Sequence, residues 1–327
     1  MPTAPAQLDQ LLSTTLDNWR TTLVDQTTKR STVYQALNSK AKVTLQGGNT
    51  VRIPLLVGLN DTVKFYSGFD LFDTTPQGGF AHAIYPWKQI VGTMSISGFE
   101  RRVNNGPEAF ISLVEEKMAQ LEMSFTRKFN EAFFDTAPIA KAFNSLPEMI
   151  SDTNPARGPV GGLDATDQDY WKSNVNAGPV DLTTVAGLKA LDNMVNTLWV
   201  NGSVVDFEFT TQGNYEQYLA LATEKLQIVS TKMADLGFRA ASHGGAEIVF
   251  DPFVPAPVGS GGGYWYFVNS DFIQFVQHSQ AWMTRLDTQR PYNQDAWTTP
   301  IISMGNLGIS NRRAHGVIEE VDITPGG

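Results

Sequence analysis

Four histidines, His82, His243, His278 and His315, are the only imidazoles in the 327-residue chain, and they lie far apart. A zinc or non-haem iron site needs imidazoles and carboxylates gathered together, and no HExxH-type spacing occurs. Cysteine is absent, which removes thiolate nucleophiles, thiolate metal sites and disulfides in one step. The nucleophile elbow GxSxG is also missing: the near likeness GTMSISG at residues 92–98 has the wrong spacing and falls within a strand pattern. GSGGGY at residues 259–264 has the glycines of a phosphate-cradling loop but neither its lysine nor its following helix. Asp164, Asp167 and Asp169 cluster without the glycine and terminal glutamate of a calcium loop, so a solvated loop is the plainer reading. Glu115 and Glu116 diverge as neighbours on a helix. Trp87, Trp171, Trp265 and Trp282 lack the interleaved basic residues of a base-stacking platform, which favours core or interface packing. The search therefore yields no catalytic, cofactor-binding or metal residue, and the expectation is a protein that is not an enzyme. The strongest charged motif is Asn311-Arg312-Arg313, two arginines able to pair with carboxylates across a subunit contact or to line a solvated edge.

Composition narrows the class. Charged residues make up 17% of the chain, well under the usual quarter, which implies that much of its surface is covered by something other than its own fold. The net charge of -9 argues against affinity for nucleic acid through a basic face, although a container that only encloses DNA can be acidic. The amino terminus MPTAPAQLDQLL has neither a basic nor an apolar leader region, and no apolar run reaches about 18 residues. The expectation is a chain that is neither secreted nor membrane-spanning, and the start at Met1 with an ordered-looking arm suggests no long prodomain. Its length exceeds what one core usually serves, so two or more lobes are expected.

The elements that would position these residues follow from periodicity. Residues 1–40 are polar, with Leu8, Leu12, Leu16, Trp19 and Leu23 close to a helical stripe, and read as an arm with one or two short helices. Period two begins at Val43 and continues through Val51, Ile53, Leu55, Val57 and Leu59. It returns over residues 84–98, with Met94 and Ile96 on one face and Thr93, Ser95 and Ser97 on the other. Between them YSGFDLFDTTPQGG has loop chemistry throughout. Two strands of this length would form a long ribbon, and a two-stranded ribbon is marginal alone in water, so another copy of the chain is the expected support.

Asn105-Gly106-Pro107-Glu108 then opens a helix in which Phe110, Val114, Met118, Leu121, Phe125, Phe129 and Phe133 recur at three- and four-residue steps. Residues 137–179 are irregular and read as an exposed, interface-forming segment. Helices over 182–199 and 212–228 flank a strand at 204–210, an α/β alternation. The remainder reads as short strands at 247–250, 264–268, 272–276, 301–303, 307–310 and 316–321.

The run YSGFDLFDTTPQGGFAHAIYPWKQIVGTMSISGFERRVNNGPEAFISLVEEKMAQLEMS resembles the ribbon and long helix of tailed-bacteriophage major capsid proteins with the Hong Kong 97-type coat fold. The likeness continues in order through VGGLDATDQDYWKSN, FEFTTQGNYEQY, KMADLGF, AEIVFDPFVP, RPYNQDAW and MGNLGISNRRAHGV, and so covers most of the chain. The resemblance implies an α+β coat fold: an N-terminal arm at 1–49, an extended β-ribbon loop at 50–98, and a peripheral domain at 99–179 with a spine helix at 107–135. An axial domain would span 180–260, and the strands of 261–327 would return to the peripheral domain. It also implies self-assembly as hexamers and pentamers into an icosahedral virion shell made in the host bacterial cytoplasm. That shell would enclose double-stranded DNA without sequence-specific binding and would meet a portal protein and scaffold or decoration proteins. Trp19, Arg52, Lys64, Phe69, Phe72, Trp87, Arg101, Arg102, Arg312 and Arg313 are the expected inter-subunit contacts. Some members of the family cross-link through a lysine and an asparagine; Lys64 lies in the loop, but no motif identifies a partner. The aspartate-rich stretch at 164–170 is more acidic than the family pattern. An encapsulin-like nanocompartment with the same fold, and a soluble α/β enzyme with a metal or carboxylate site, are the alternatives.

Overall fold

The computed structural model describes residues 32–103, 113–200, 202–222, 241–256 and 263–323. Two compact units divide them: one is built from residues 91–127 and 283–302, the other from the rest. The larger unit opens on α1 (Thr32–Lys40) and β1 (Lys42–Leu45), and the period-two run then becomes β2 (Thr50–Leu56). Val51, Ile53 and Leu55 are buried there while Arg52, Pro54 and Leu56 face solvent, as alternation requires. Its antiparallel partner is β3 (Phe80–Pro86), with Val51 opposite Tyr85 and Ile53 opposite Ala83.

The ribbon therefore differs from the single long strand read over residues 84–98. The chain breaks at Trp87, whose indole Nε1 donates to the Gly48 carbonyl at 2.8 Å, and β4 (Lys88–Ser97) then pairs with a different strand. Within β4, Met94 and Ile96 are buried and Thr93 and Ser95 exposed. Ser97 and Glu100 form a capping box ahead of α2 (Gly98–Val103): Glu100 N donates to Ser97 Oγ at 3.1 Å and Ser97 N to Glu100 Oε2 at 3.0 Å.

The long helix is α3 (Leu113–Phe133), and its expected first turns, from Pro107, lie outside the described residues. In the larger unit its last turns carry Phe129 and Phe133 into an aromatic core. Phe129 stacks on Tyr34 at 5.4 Å and on Trp282 at 5.1 Å, and Phe133 meets Phe275 edge-on at 5.4 Å.

Residues 137–179 are irregular, with one short helix, α4 (Leu146–Met149), and two 3-10 turns at Val160–Gly162 and Asp169–Trp171. They do not form the exposed segment that their composition suggests. Phe143, Leu146, Met149, Ile150, Ala165 and Trp171 are buried, because two arginines satisfy the carbonyls that no ladder reaches. Arg157 donates to the Ile139, Ala142 and Phe143 carbonyls and pairs with Glu148; Arg312 does the same for Met149, Ser151 and Trp171.

Beyond β5 (Asn174–Asn176) and β6 (Val180–Asp181), helix α5 (Val185–Thr197), strand β7 (Phe207–Thr210) and helix α6 (Gln212–Ala222) follow the predicted alternation. The hairpin β8 (Ala241–His243) and β9 (Ala246–Phe250) turns at Gly244-Gly245, both at positive φ, the chemistry of a two-residue primed turn. Strand β10 (Trp265–Val268) is buried along its whole length.

The remaining strands are β11 (Ile273–His278), β12 (Thr284–Arg285), β13 (Ala296–Ile309), β14 (Gly316–Ile318) and β15 (Val321–Asp322). A six-stranded sheet runs β5-β14-β10-β7-β9-β8 and shares its core with Leu191, Leu198 and Tyr218. Consequently β10 and β14 share a sheet with β7 rather than joining the other late strands, because their buried faces complete the same core. Strand β11 pairs in parallel with β1, and in antiparallel with residues 305–309 of β13. The segments read separately at 301–303 and 307–310 are one strand. Gly305 continues it because a side chain there would meet the Val276 carbonyl at 2.5 Å and the Trp282 ring at 3.0 Å.

Candidate functional site

Between β2 and β3 the chain runs through residues 57–79 without regular structure. The neck is closed by Val57 N donating to the Gly79 carbonyl at 2.7 Å, and glycine is required at 79, where φ is +144° and a Cβ would lie 2.8 Å from Gly58 O. Past the neck the hydrogen bonds are local: Thr62 N to Asn60 Oδ1, Ser67 N to Asp70 Oδ2 and Thr75 N to Asp73 Oδ1. Leu59, Val63, Phe65, Tyr66, Phe69, Leu71, Phe72 and Phe80 are exposed, with Phe65 and Phe69 as open as in an extended peptide at 105%. The loop is longer than compact domains ordinarily tolerate, and an exposed apolar set of this size is uncommon on the surface of a monomer.

The root of the ribbon is firmly held. Tyr85 Oη donates to the Ile309 carbonyl at 2.8 Å, and burial pushes its phenol well above the usual range against the opposing effects of that bond and of the Arg312 charge. Beside it a groove of about 450 Å³ is lined by Leu55, Leu56, Val57, Val200, Phe272 and Arg313. A smaller cleft of about 230 Å³ contains Tyr85, Lys88, Glu148 and Arg157, but its polar groups are committed: Arg157 to Glu148 and to carbonyls, Lys88 to the Ala140 carbonyl.

The residues expected at subunit contacts are placed as follows. Arg52, Lys64, Phe69 and Phe72 are exposed, Phe72 meeting Tyr66 edge-on at 5.2 Å. Trp87 is half-buried and lies edge-on to His278 at 5.5 Å. In the smaller unit Arg102 is exposed and pairs with Asp295 at 2.5 Å; the Arg101 side chain lies outside the description, as does Trp19. Phe99 and Tyr292 are exposed in that same unit. The two arginines of the tail separate. Arg313 is exposed and donates to the Asp169 carbonyl at 3.3 Å, whereas Arg312 is fully buried in its own chain, its donors spent on Met149, Trp171 and Ser151. Arg312 is thus a correction: it cannot meet a neighbour.

The chemical candidates stay apart. Among the described residues no group of three or more histidines, carboxylates or cysteines could hold a metal, and no helix is long and apolar enough to cross a membrane. GTMSISG lies in β4 and at its end, and Asp164 accepts from Asn154 and Thr166, which holds its carboxyl below the usual range. The sequence passed over the exposed loop residues Val63, Phe65 and Leu71, because an aperiodic apolar set reads only as a loop, and its period-two run extended to Leu59, beyond the end of β2 at Leu56. Its available signal was the number of large apolar side chains between two strands. It also gave no sign of the buried Glu208 and His243 and the exposed Asp192, which come together from three separate elements.

No family model matches the chain, and no curated protein matches it by sequence. Among solved structures it is similar to the cyanophage A-1(L) capsid subunit, at 13% identity and a TM-score of 0.70, covering 94% of this chain and 98% of that one. It is also similar to the SrpI encapsulin of Synechococcus elongatus PCC 7942, at 10% identity and a TM-score of 0.62 over 100% and 99% of the two chains. A third likeness is to the capsid of a native GTA particle, at 11% identity and a TM-score of 0.58 over 94% and 96%. At these identities the shared property is the fold, and it is the Hong Kong 97-type coat fold.

Proposed function

We propose that this chain is the major capsid protein of a tailed bacteriophage, a shell subunit that assembles as hexamers and pentamers into an icosahedral container for double-stranded DNA. The observation that carries this reading is the loop at 57–79, whose exposed phenylalanines have no use in a monomer and whose backbone is organised only locally. Burying each phenylalanine on a neighbour is worth about 2 kcal/mol. Many such contacts of modest strength reinforce one another, since forming one raises the effective concentration for the next, and closed symmetry limits the growth.

The acidic balance suits a wall that encloses DNA without gripping it. Subunit contacts are assigned to Arg52, Lys64, Phe69, Phe72, Trp87, Arg102 and Arg313, with the portal, scaffold or decoration proteins as further partners in the virion. Synthesis in the host cytoplasm and the absence of an active site belong to the same reading. The domain division follows the ribbon, the spine helix α3 and the α/β layer around β7.

A second reading, an encapsulin-like nanocompartment, is favoured by the likeness to the SrpI encapsulin over the full chain. Negative-stain electron microscopy with sedimentation of the purified full-length protein tests both. Closed particles or capsomer-sized rings are expected; a homogeneous monomer or dimer at high concentration, with candidate scaffold proteins co-expressed, would sink both readings. Nuclease-protected DNA inside particles from infected or induced cells supports the phage shell, and a co-purifying protein cargo supports the nanocompartment.

A further inference from the structure

Three elements of the six-stranded layer meet at one imidazole. His243 is the last residue of β8 before the Gly244-Gly245 turn, and its side chain is buried. Its Nδ1 lies 2.8 Å from Glu208 Oε1 on β7, and its Nε2 lies 3.0 Å from Asp192 Oδ1 on α5. Glu208 is wholly enclosed and its other oxygen accepts from Trp265 Nε1, on β10, at 2.9 Å. Among the described residues, Tyr218 on α6 lies edge-on to the ring at 5.7 Å, and β9 pairs Ala246 with His243.

The protonation state follows from donor counting. An ionised carboxylate only accepts, and a neutral imidazole has one N–H and one lone pair. Both short contacts are hydrogen bonds together only when the ring carries two protons. Asp192 is largely exposed, and both Glu208 oxygens are engaged, Oε2 accepting from an indole N–H that can only donate. The resting arrangement is a carboxylate, an imidazolium and a second carboxylate in series.

We propose that Asp192, His243 and Glu208 form a proton-controlled latch that fastens helix α5 to the β8–β9 hairpin and releases it as pH rises. The proton leaves Nε2 for water, because Nδ1–H is retained by the enclosed Glu208 charge. The Nε2 lone pair then faces the Asp192 carboxylate, two acceptors 3.0 Å apart, and the exposed Asp192 turns to solvent. Burial alone would disfavour the imidazolium, but the bonds and charges of Glu208 and Asp192 outweigh it and hold the pKa above 6.5. The contribution is complete below the unfolded value of about 6.5 and is lost as pH climbs through the raised folded value. This latch does not depend on what the protein assembles into.

Hydrogen–deuterium exchange on the full chain, comparing wild type with Asp192→Asn at matched pH, cancels the intrinsic pH dependence of exchange. At about pH 6, residues 185–197 should exchange roughly ten-fold more slowly in wild type, the size expected for a bond to a charged group. At about pH 9 the two proteins should coincide. A difference that persists unchanged at the higher pH, or none at the lower, overturns the latch. In His243→Gln, which cannot titrate, protection of α5 should not vary with pH; a wild-type pH profile in that variant would equally refute it. Should His243→Gln fail to fold, the Asp192→Asn comparison decides alone, since that side chain is largely exposed.

Discussion

Arg312 Nη1 donates to the carbonyl oxygen of Trp171 at 2.8 Å, joining positions 141 residues apart, while its Nε reaches the Met149 carbonyl at 2.9 Å. No carboxylate takes part in these bonds. A fully buried guanidinium is stable here because its fork of donors fits carbonyls that no helix or strand ladder reaches. Burial lowers its pKa to about 10, still far above neutrality, so the charge is retained. Arg157 performs the same service for the carbonyls of 139–143. A segment that lacks periodicity can thus be packed like a regular element when arginines replace the missing ladder.

Arg312→Met should destabilise the protein by about 2 kcal/mol or more, since it removes the donor to the buried Trp171 carbonyl and one donor each from the Met149 and Ser151 carbonyls, which keep Ser173. Its neighbour gives the control. Arg313→Ala removes an exposed side chain and should move stability by less than about 0.5 kcal/mol. Urea titration of both variants checks the pair, and equal effects would refute the division of roles.

His315 should set part of the acid limit. Its ring is enclosed, and Nδ1 accepts from Asn269 N at 3.3 Å. Burial lowers its pKa to about 3; a bond with the Phe272 backbone opposes the shift and the Arg312 charge reinforces it. A depressed folded value means that the stabilisation is present above about 6.5 and is lost as pH falls towards 3. The slope of unfolding free energy against pH, measured across that window, should be shallower by about one proton in His315→Gln than in wild type. Parallel slopes would show that His315 charges freely in the folded protein.

Much of this fold was legible and the reasons for the rest are specific. Alternation at Val51, Ile53 and Leu55 exposed β2, and the steps Phe125, Phe129 and Phe133 exposed α3, because in each case one face is buried and the period survives. Strand partners were harder. Residues 80–83 carry little apolar pattern, so the true partner of β2 was hidden and β4 was assigned to the ribbon in its place. Gly305 read as a break because a glycine's close contacts cannot be seen from sequence. Arg312 and Arg313 are adjacent and chemically identical, and only the fold separates a buried carbonyl clamp from a surface charge. For the loop, sequence showed where it runs and the structure showed that its phenylalanines face outward.

In the smaller unit Gly92 of β4 is a packing requirement. A Cβ there would lie 2.7 Å from both Leu121 Cδ1 and Phe125 Cε2 of α3. Gly92→Val should therefore overpack the contact and cost about 1–3 kcal/mol, read as a lower thermal midpoint. Gly98→Ala tests a different clash, with the Asp295 carboxylate that accepts from Arg102 and Arg290, and that carboxylate can shift. The smaller penalty should be the one at Gly98.

Phe65 and Phe69 give the sharpest test of assembly. Each is fully exposed and neither contributes to the core, so Phe65→Ser with Phe69→Ser should leave the subunit's unfolding free energy within about 0.5 kcal/mol of wild type. If both rings are buried on a neighbour, the same double variant loses about 4 kcal/mol per subunit contact, and the concentration needed for closed particles should rise by about two orders of magnitude or more. Replacing residues 60–77 with Asn-Gly should act more severely while sparing the fold, because the neck at Val57 and Gly79 already brings the strands together and that dipeptide suits a two-residue hairpin turn. Light scattering across a concentration series, with circular dichroism on the same samples, separates assembly from folding. Particles forming at the wild-type concentration from a loop-deleted, folded subunit would show that the exposed phenylalanines serve something other than the shell.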